Sequence, residues 1–216
     1  MLFHSHRRVK FIRNLSIRPI SSFRSDSIGL FGYLDCFVRE ILPLIDRLNL
    51  GHLVLPMSSG GTMEGLALGN YLTGNRLRIH AFAVSDNETY FKKHFHSILN
   101  QLELDHLIPR VDKNNLVEIN DTHVGLGYGR MTDEQIDFLR QLISETGILF
   151  DPVYTGKCAW ALKEELQNNR FPNDGKAILF LHTGGAMGLM NPDYSQQWLS
   201  SSNTHSNSKI RDWRIF

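Results

Sequence analysis

Five consecutive small residues, Ser58, Ser59, Gly60, Gly61 and Thr62, form the first string in this sequence that could do chemistry. Three hydroxyls and two glycines let the backbone curl around a phosphate, with N–H and O–H groups all donating. The GK[ST] ending of a triphosphate P-loop is missing, and so is the GxGxxG dinucleotide pattern. A cup for a single phosphate group remains, with a plain tight turn as the other reading. A second string, Thr183, Gly184 and Gly185, follows the apolar run Ala177 to Leu181. Its glycines let a flat ligand approach the backbone, and Thr183 offers a neutral hydroxyl that can donate to or accept from a ring nitrogen. A satisfied turn explains the same residues. Third come two tyrosines in glycine-spaced surroundings: Tyr128 in Gly125 to Gly129 (GLGYG) and Tyr154 in Asp151 to Lys157 (DPVYTGK). Each can serve as a proton shuttle, an aromatic wall or a structural residue.

The elements around these loops alternate in period. Leu34, Phe37, Val38, Ile41, Ile45 and Leu48 recur at helical spacing, and Pro43 among them should kink or end that helix. His52 to Pro56 reads as a buried strand, followed by the glycine loop and a helix over 63–72. Leu77 to Val84 alternates like a strand. Ser85 with Glu88 has the spacing of a capping box opening a helix with Phe91, Phe95, Ile98 and Leu102, and Thr132 with Gln135 has it again before Ile136, Leu139, Leu142 and Ile143. Gly147 is placed to end that second helix. A short strand is expected over Leu116 to Ile119, and another over Ala177 to Leu181. The fold class that follows is α/β, a parallel sheet flanked by helices. In such sheets ligands bind where strands end and helices begin, which is where all three loops fall.

With 216 residues, 42% hydrophobic and 21% charged, the chain has a globular profile and length enough for a core without disulfide or metal staples. Lys and Arg (23) nearly balance Asp and Glu (22), which weighs against a nucleic-acid partner. No apolar run is long enough for a membrane span. Cys36 and Cys158 form no CxxC pair, and the histidines form no convincing ligand set, so no metal site is expected. Residues 1–26 are basic, with no acid before Asp26; this is the composition of a mitochondrial transit segment or of a solvated basic end. The expected organisation is thus a basic segment over 1–26, an α/β domain over 27–190, and a polar tail over 191–216, mobile over 198–209.

Four strings in this order, SSGGTMEGLALG, GLGYG, DPVYTGKCAWAL and ILFLHTGGAMGL, resemble the pyridoxal-phosphate enzymes of the D-cysteine desulfhydrase and 1-aminocyclopropane-1-carboxylate deaminase family. The segment SIGLFGYLDCFVREI, residues 27–41, resembles the stretch before the phosphate loop there. The resemblance covers about residues 17–190. It implies part of a type II pyridoxal-phosphate fold (tryptophan synthase beta-like), N-terminally incomplete, with pyridoxal 5'-phosphate as cofactor and a small amino acid as substrate. Ser58, Ser59, Gly60, Gly61 and Thr62 would hold the cofactor phosphate, Thr183 and Gly184 would lie by the pyridine nitrogen, and Tyr128 and Tyr154 would match the active-site tyrosines. Thr155 after Tyr154 is similar to the desulfhydrase-like members, whereas the deaminase-like ones tend to carry Glu there.

One departure accompanies the resemblance. Pyridoxal chemistry needs a lysine amine that bonds the cofactor and moves protons at the substrate α carbon, and the family carries it in the N-terminal third. Residues 1–26 hold no equivalent, nor a carboxylate-binding loop. Lys157 opens a helix and is given a structural place by the resemblance. The chain is therefore expected to be a pyridoxal-phosphate lyase by resemblance and inactive alone, with a non-catalytic cofactor-binding fragment or a deaminase-like protein as alternatives. A homodimer, no nucleic acid, no membrane and a cytoplasmic location, or a mitochondrial one from the basic start, complete the expectations. Two readings of the start stay open: a transit segment, or a fragment in which residues 17–23 (IRPISSF) are a remnant of a family strand and only 1–16 are foreign to the fold.

Overall fold

The computed structural model describes residues 9–11 and 27–190. The expected tail over 191–216 and the expected strand over 17–23 lie outside the described residues. Five strands form one sheet: β1 (Val9–Phe11), β2 (Leu50–Met57), β3 (Arg78–Ala83), β4 (Glu118–Asn120) and β5 (Ala177–Phe180), in the order β1-β5-β2-β3-β4. Every pairing is parallel. Among the described residues six α-helices accompany them: α1 (Ser27–Cys36), α2 (Leu44–Leu48), α3 (Gly61–Leu72), α4 (Glu88–Leu104), α5 (Asp133–Thr146) and α6 (Thr155–Gln167). The α/β expectation holds, and among the described residues no helix is long and apolar enough to cross a membrane.

The two faces of the sheet follow from the two-residue period of extended chain. Leu53, Leu55 and Met57 of β2, Ile79, Ala81 and Ala83 of β3, and Leu179 of β5 join one core with α1, α3 and α4. Val54, Phe82, Ile178 and Phe180 point the other way, into a second core with Phe138, Leu139 and Leu142 of α5 and Cys158 to Leu162 of α6. Both faces are covered, so the central strands read as continuous apolar runs. Close packing of α3 on α1 depends on glycine: a Cβ at Gly65 would stand 2.2 Å from the Leu30 carbonyl oxygen, and one at Gly69 2.8 Å from Phe37 Cβ.

Pro43 acts as expected, with an added feature. After α1 the chain widens into a π turn over Phe37–Ile41, closed by Leu42 N–H donating to the Phe37 carbonyl at 2.8 Å, before α2 resumes. Proline offers no N–H to continue the helix, and a π turn is one way to absorb the break.

Three local expectations are corrected. The N-cap of α4 is Asn87, whose Oδ1 accepts from Tyr90 N–H at 2.9 Å, and not Ser85; Glu88 N–H instead donates to Asp121 Oδ2. The strand expected over 116–119 forms over 118–120, in register with His80 to Phe82. Val9–Phe11, within the stretch read as foreign, pairs with Ile178 to Phe180 as an edge strand. The Thr132–Gln135 capping box and the left-handed C-cap Gly147 form as expected.

Candidate active site

The Ser58 to Thr62 loop and the Thr183 turn follow the carboxyl ends of β2 and β5, and the Tyr128 loop comes after β4, whereas the Tyr154 loop, expected after a strand, instead joins α5 to α6. The Ser58 to Thr62 loop joins β2 to α3, and Gly60 makes the turn at φ 95°, a left-handed value that glycine takes without strain. A Cβ at Gly61 would meet nothing within 4 Å, so the loop opens outward as a cup. Ser85, directly after β3, brings its Oγ to 3.5 Å from Ser58 Oγ. This hydroxyl beside the cup is a site neighbour that the sequence reading had assigned to helix capping.

On the other side of β2 lies β5. Leu179 is level with Leu53 and Phe180 with Val54; continuing that register sets Thr183 level with Met57, one residue before the cup. Gly184 and Gly185 both have positive φ, 90° and 93°. His182 shapes this turn. Its Nδ1 accepts from Gly184 N–H at 3.2 Å, which leaves Nε2 to donate to the Leu149 carbonyl at 3.0 Å. Thr183 itself is exposed.

Asp151 organises the third loop. Its buried carboxylate accepts from the N–H groups of Val153, Tyr154 and Thr155 at 2.7 to 2.8 Å and from Thr155 Oγ1 at 2.6 Å. It thereby caps α6, a role invisible in the sequence because no capping spacing announces it. A Cβ at Gly185 would stand 2.6 Å from Asp151 Oδ1, so the same carboxylate fixes how closely the Thr183 turn approaches Tyr154.

The two tyrosines meet. Tyr128 and Tyr154 share a hydrogen bond between their phenol oxygens, with ring centroids 5.8 Å apart and planes at 76°. Tyr128 is 53% exposed, at the tip of a loop whose Gly125, Gly127 and Gly129 all have positive φ. Lys157, 2% exposed, donates from Nζ to the carbonyls of Val124 and Gly127, and burial lowers its pKa. Its amine is thus committed to the loop that carries Tyr128, in line with a structural place. Among the described residues no group of three or more His, Cys, Asp or Glu could hold a metal.

These features define a class: a parallel sheet between helical layers with ligand loops following the carboxyl ends of its strands, the architecture of fold type II pyridoxal-phosphate enzymes. A crystal structure of a 1-aminocyclopropane-1-carboxylate deaminase homologue is similar with a TM-score of 0.65 and 28% identity, over 81% of this chain and 50% of that one. O-ureido-L-serine synthase, at 15% identity and a TM-score of 0.52 over 82% of this chain and 53% of that one, shares the fold alone. In sequence, the chain is 36% identical over 169 residues to the mitochondrial bifunctional D-cysteine desulfhydrase/1-aminocyclopropane-1-carboxylate deaminase of Arabidopsis thaliana, covering 76% of this chain and 40% of that protein. It is 30% identical over 171 residues to the D-cysteine desulfhydrase of Serratia proteamaculans, covering 76% of this chain and 49% of that one. No family model matches. The curated homologues matched over this segment are members of the D-cysteine desulfhydrase/1-aminocyclopropane-1-carboxylate deaminase family. The chain spans about half or less of the length of these two curated relatives.

Proposed function

We propose that this chain forms the cofactor-cradling part of a pyridoxal-phosphate-dependent lyase that converts D-cysteine and water to pyruvate, hydrogen sulfide and ammonia. The residues present fit the cofactor: a cup of hydroxyls with an outward-open Gly61, and a glycine turn at Gly184 where an added Cβ would meet nothing within 4 Å. Ser58, Ser59 and Thr62, with the backbone N–H groups of Gly60 and Gly61, would hold the phosphate. Thr183 would stand at the pyridine nitrogen as a neutral partner. When bound, pyridoxal phosphate supplies a sink for the electron pair left at the substrate α carbon. The chain's own contribution at the substrate is the Tyr128–Tyr154 pair, in which one phenol donates while the other accepts, so a proton can be held or passed at either oxygen.

What supports this reading most is a chain of neighbours: the cup and the Thr183 turn follow the paired strands β2 and β5, Gly185 packs on Asp151 of the Tyr154 loop, and Tyr154 bonds Tyr128. A small amino acid is the substrate class, and Thr155 favours D-cysteine over the cyclopropane substrate. A cytoplasmic location, with a mitochondrial one as the alternative in keeping with the relative whose name places it there, and a homodimer are part of the same proposal. A second reading is a non-catalytic cofactor-binding module, favoured by the commitment of Lys157 to two carbonyls. Incubation of the purified chain with pyridoxal phosphate and D-cysteine, followed by a sulfide assay, and borohydride reduction with mass analysis, tests both. Sulfide release above that of free cofactor, with a pyridoxyl adduct on a lysine, supports the lyase. Saturable binding with neither sulfide nor adduct supports the module, and absence of any binding contradicts both.

A further inference from the structure

Beneath the Ser58 to Thr62 cup lies a carboxylate that the reading above does not use. Glu64, the fourth residue of α3, is 1% exposed. Its Oε1 would stand 3.0 Å from a Cβ at Gly60, so the acid is pressed against the backbone at the turn of the cup. An anion held by the cup and a carboxylate ion behind it would repel one another across a water-poor gap. A proton-sharing partner is present: His94, on α4, places Nδ1 2.8 Å from Glu64 Oε1.

Burial is the largest influence on Glu64 and raises its pKa, and the His94 hydrogen bond opposes that. From α4 itself, Tyr90 stacks on His94 at 6.3 Å between ring centroids, while Glu88 and Lys92 pair with each other at 2.6 Å. From α1, the neighbours of Gly65 on α3 are the Leu30 carbonyl and the Tyr33 side chain, which carry no charge. From the cup and β3, the facing groups are the hydroxyls of Ser58 and Ser85.

We propose that Glu64 and His94 are a proton-linked floor to the phosphate cup: an anion enters with full affinity only when the pair holds one proton. This rests on the reading of Ser58 to Thr62 as a phosphate site. With one shared proton the pair is net neutral; with none it is a buried negative charge under the anion. Binding and protonation therefore reinforce each other, and by linkage the anion raises the proton affinity of the pair as much as the proton raises the affinity for the anion. The proton belongs to the pair and not to either residue alone. As pH rises and the pair loses its proton, affinity falls. That direction is opposite to the ligand's own ionisation, because a phosphate monoester has its second pKa at about 6 and should otherwise bind better above it.

Pyridoxamine 5'-phosphate is the suitable probe, since it carries the ring and phosphate but no aldehyde to react with surface lysines. Its dissociation constant is read by fluorescence from pH 6.5 to 9 for the full chain and for Glu64→Gln, which keeps the shape and removes the charge. The expected result is a wild-type affinity that weakens by about tenfold more than that of E64Q over this range, the ligand's own ionisation cancelling in the comparison. Calorimetry of the wild type across this range, in two buffers of different ionisation enthalpy, should show proton uptake on binding that peaks at about half a proton, the most that a tenfold linkage allows. This second measurement decides the matter if E64Q does not fold. Parallel pH profiles, or binding with no proton uptake, would overturn the linked floor while leaving the cup in place. Failure of the wild type to bind the probe at every pH would overturn the cup and this inference together.

Discussion

Lys157 donates from Nζ to the carbonyl oxygen of Val124 at 2.9 Å, across thirty-three residues of sequence, and to that of Gly127 as well. The first turn of α6, which follows Tyr154, is in this way tied to the loop that presents Tyr128. One ammonium holds the two halves of the tyrosine pair in contact. Its burial lowers its pKa, yet both acceptors are neutral backbone oxygens, so the amine is placed for loop geometry rather than for ion pairing.

Lys157→Met keeps the apolar stem and removes the donors. The carbonyls of Val124 and Gly127 then keep only the long turn bonds from Gly127 N–H (3.4 Å) and Arg130 N–H (3.3 Å), and losing the two charged-donor bonds costs about 1–3 kcal/mol. Hydrogen exchange should accelerate in residues 124–129 ahead of the sheet strands, and the melting temperature should fall. Unchanged exchange in that loop would show that something else holds it.

Asp151 satisfies three backbone N–H groups and the Thr155 hydroxyl. Asp151→Ala leaves them without a partner inside the protein and should destabilise by about 2–4 kcal/mol, seen as a shift in the urea midpoint. Asp151→Asn retains one acceptor oxygen and should cost roughly half as much. Equal effects of the two variants would mean that packing against Gly185, and not hydrogen bonding, is what the side chain contributes.

Gly65→Ala tests the contact between α1 and α3. The added methyl would lie 2.2 Å from the Leu30 carbonyl oxygen and 2.7 Å from Tyr33 Cβ, and a backbone atom cannot rotate away. A loss of about 1–3 kcal/mol is expected, whereas Gly61→Ala, in open space, should be nearly neutral by the same denaturation measurement.

At the opposite end of the sheet four titratable groups form a chain. Asp174 meets His52 Nε2 at 3.1 Å, His52 Nδ1 meets His80 Nε2 at 3.0 Å, and His80 Nδ1 meets Glu118 at 3.0 Å. Burial, first, lowers the pKa of His52 despite Asp174, and the His80 hydrogen bond, first, lowers that of Glu118. For His52 the stabilisation is complete above the unfolded value of about 6.5 and is lost as pH falls from there toward the folded value. For Glu118 it is complete above about 4.3 and is lost on further acidification. Thermal melts from pH 8 to about 2 should therefore show stability falling in two stages, the first abolished in His52→Gln. A wild-type melting temperature that is flat from pH 7 to 5 would contradict this.

Much of the fold was legible because its signals are local. Pro43 breaks its helix, Thr132 and Gln135 close a capping box, and the apolar runs of β2 and β5 register strands covered on both faces. Site loops were legible for the same reason: glycines at 60, 125, 127, 129, 184 and 185 all adopt positive φ. What escaped depends on pairings made only in space. Ser85 has the spacing of a cap, but Asn87 takes that role and frees Ser85 to face Ser58. Glu64 reads as an ordinary polar helix position until its burial against His94 is seen. His52 and Asp174 are 122 residues apart, and no periodicity connects them. Val9–Phe11 is too short to announce itself as a strand, and gains its identity from β5 beside it.

The central claim, that Ser58 to Thr62 cradles the phosphate of pyridoxal phosphate, meets its most direct test in one comparison. Fluorescence titration with pyridoxamine 5'-phosphate at pH 7 is made on the full chain and on Gly61→Asp, whose new Cβ enters open space and whose carboxylate would sit in the cup. The account predicts saturable one-to-one binding by the wild type, competed by inorganic phosphate, and a loss of about a hundredfold or more in G61D from like-charge repulsion. Equal binding by the two proteins, or none by the wild type, would contradict it.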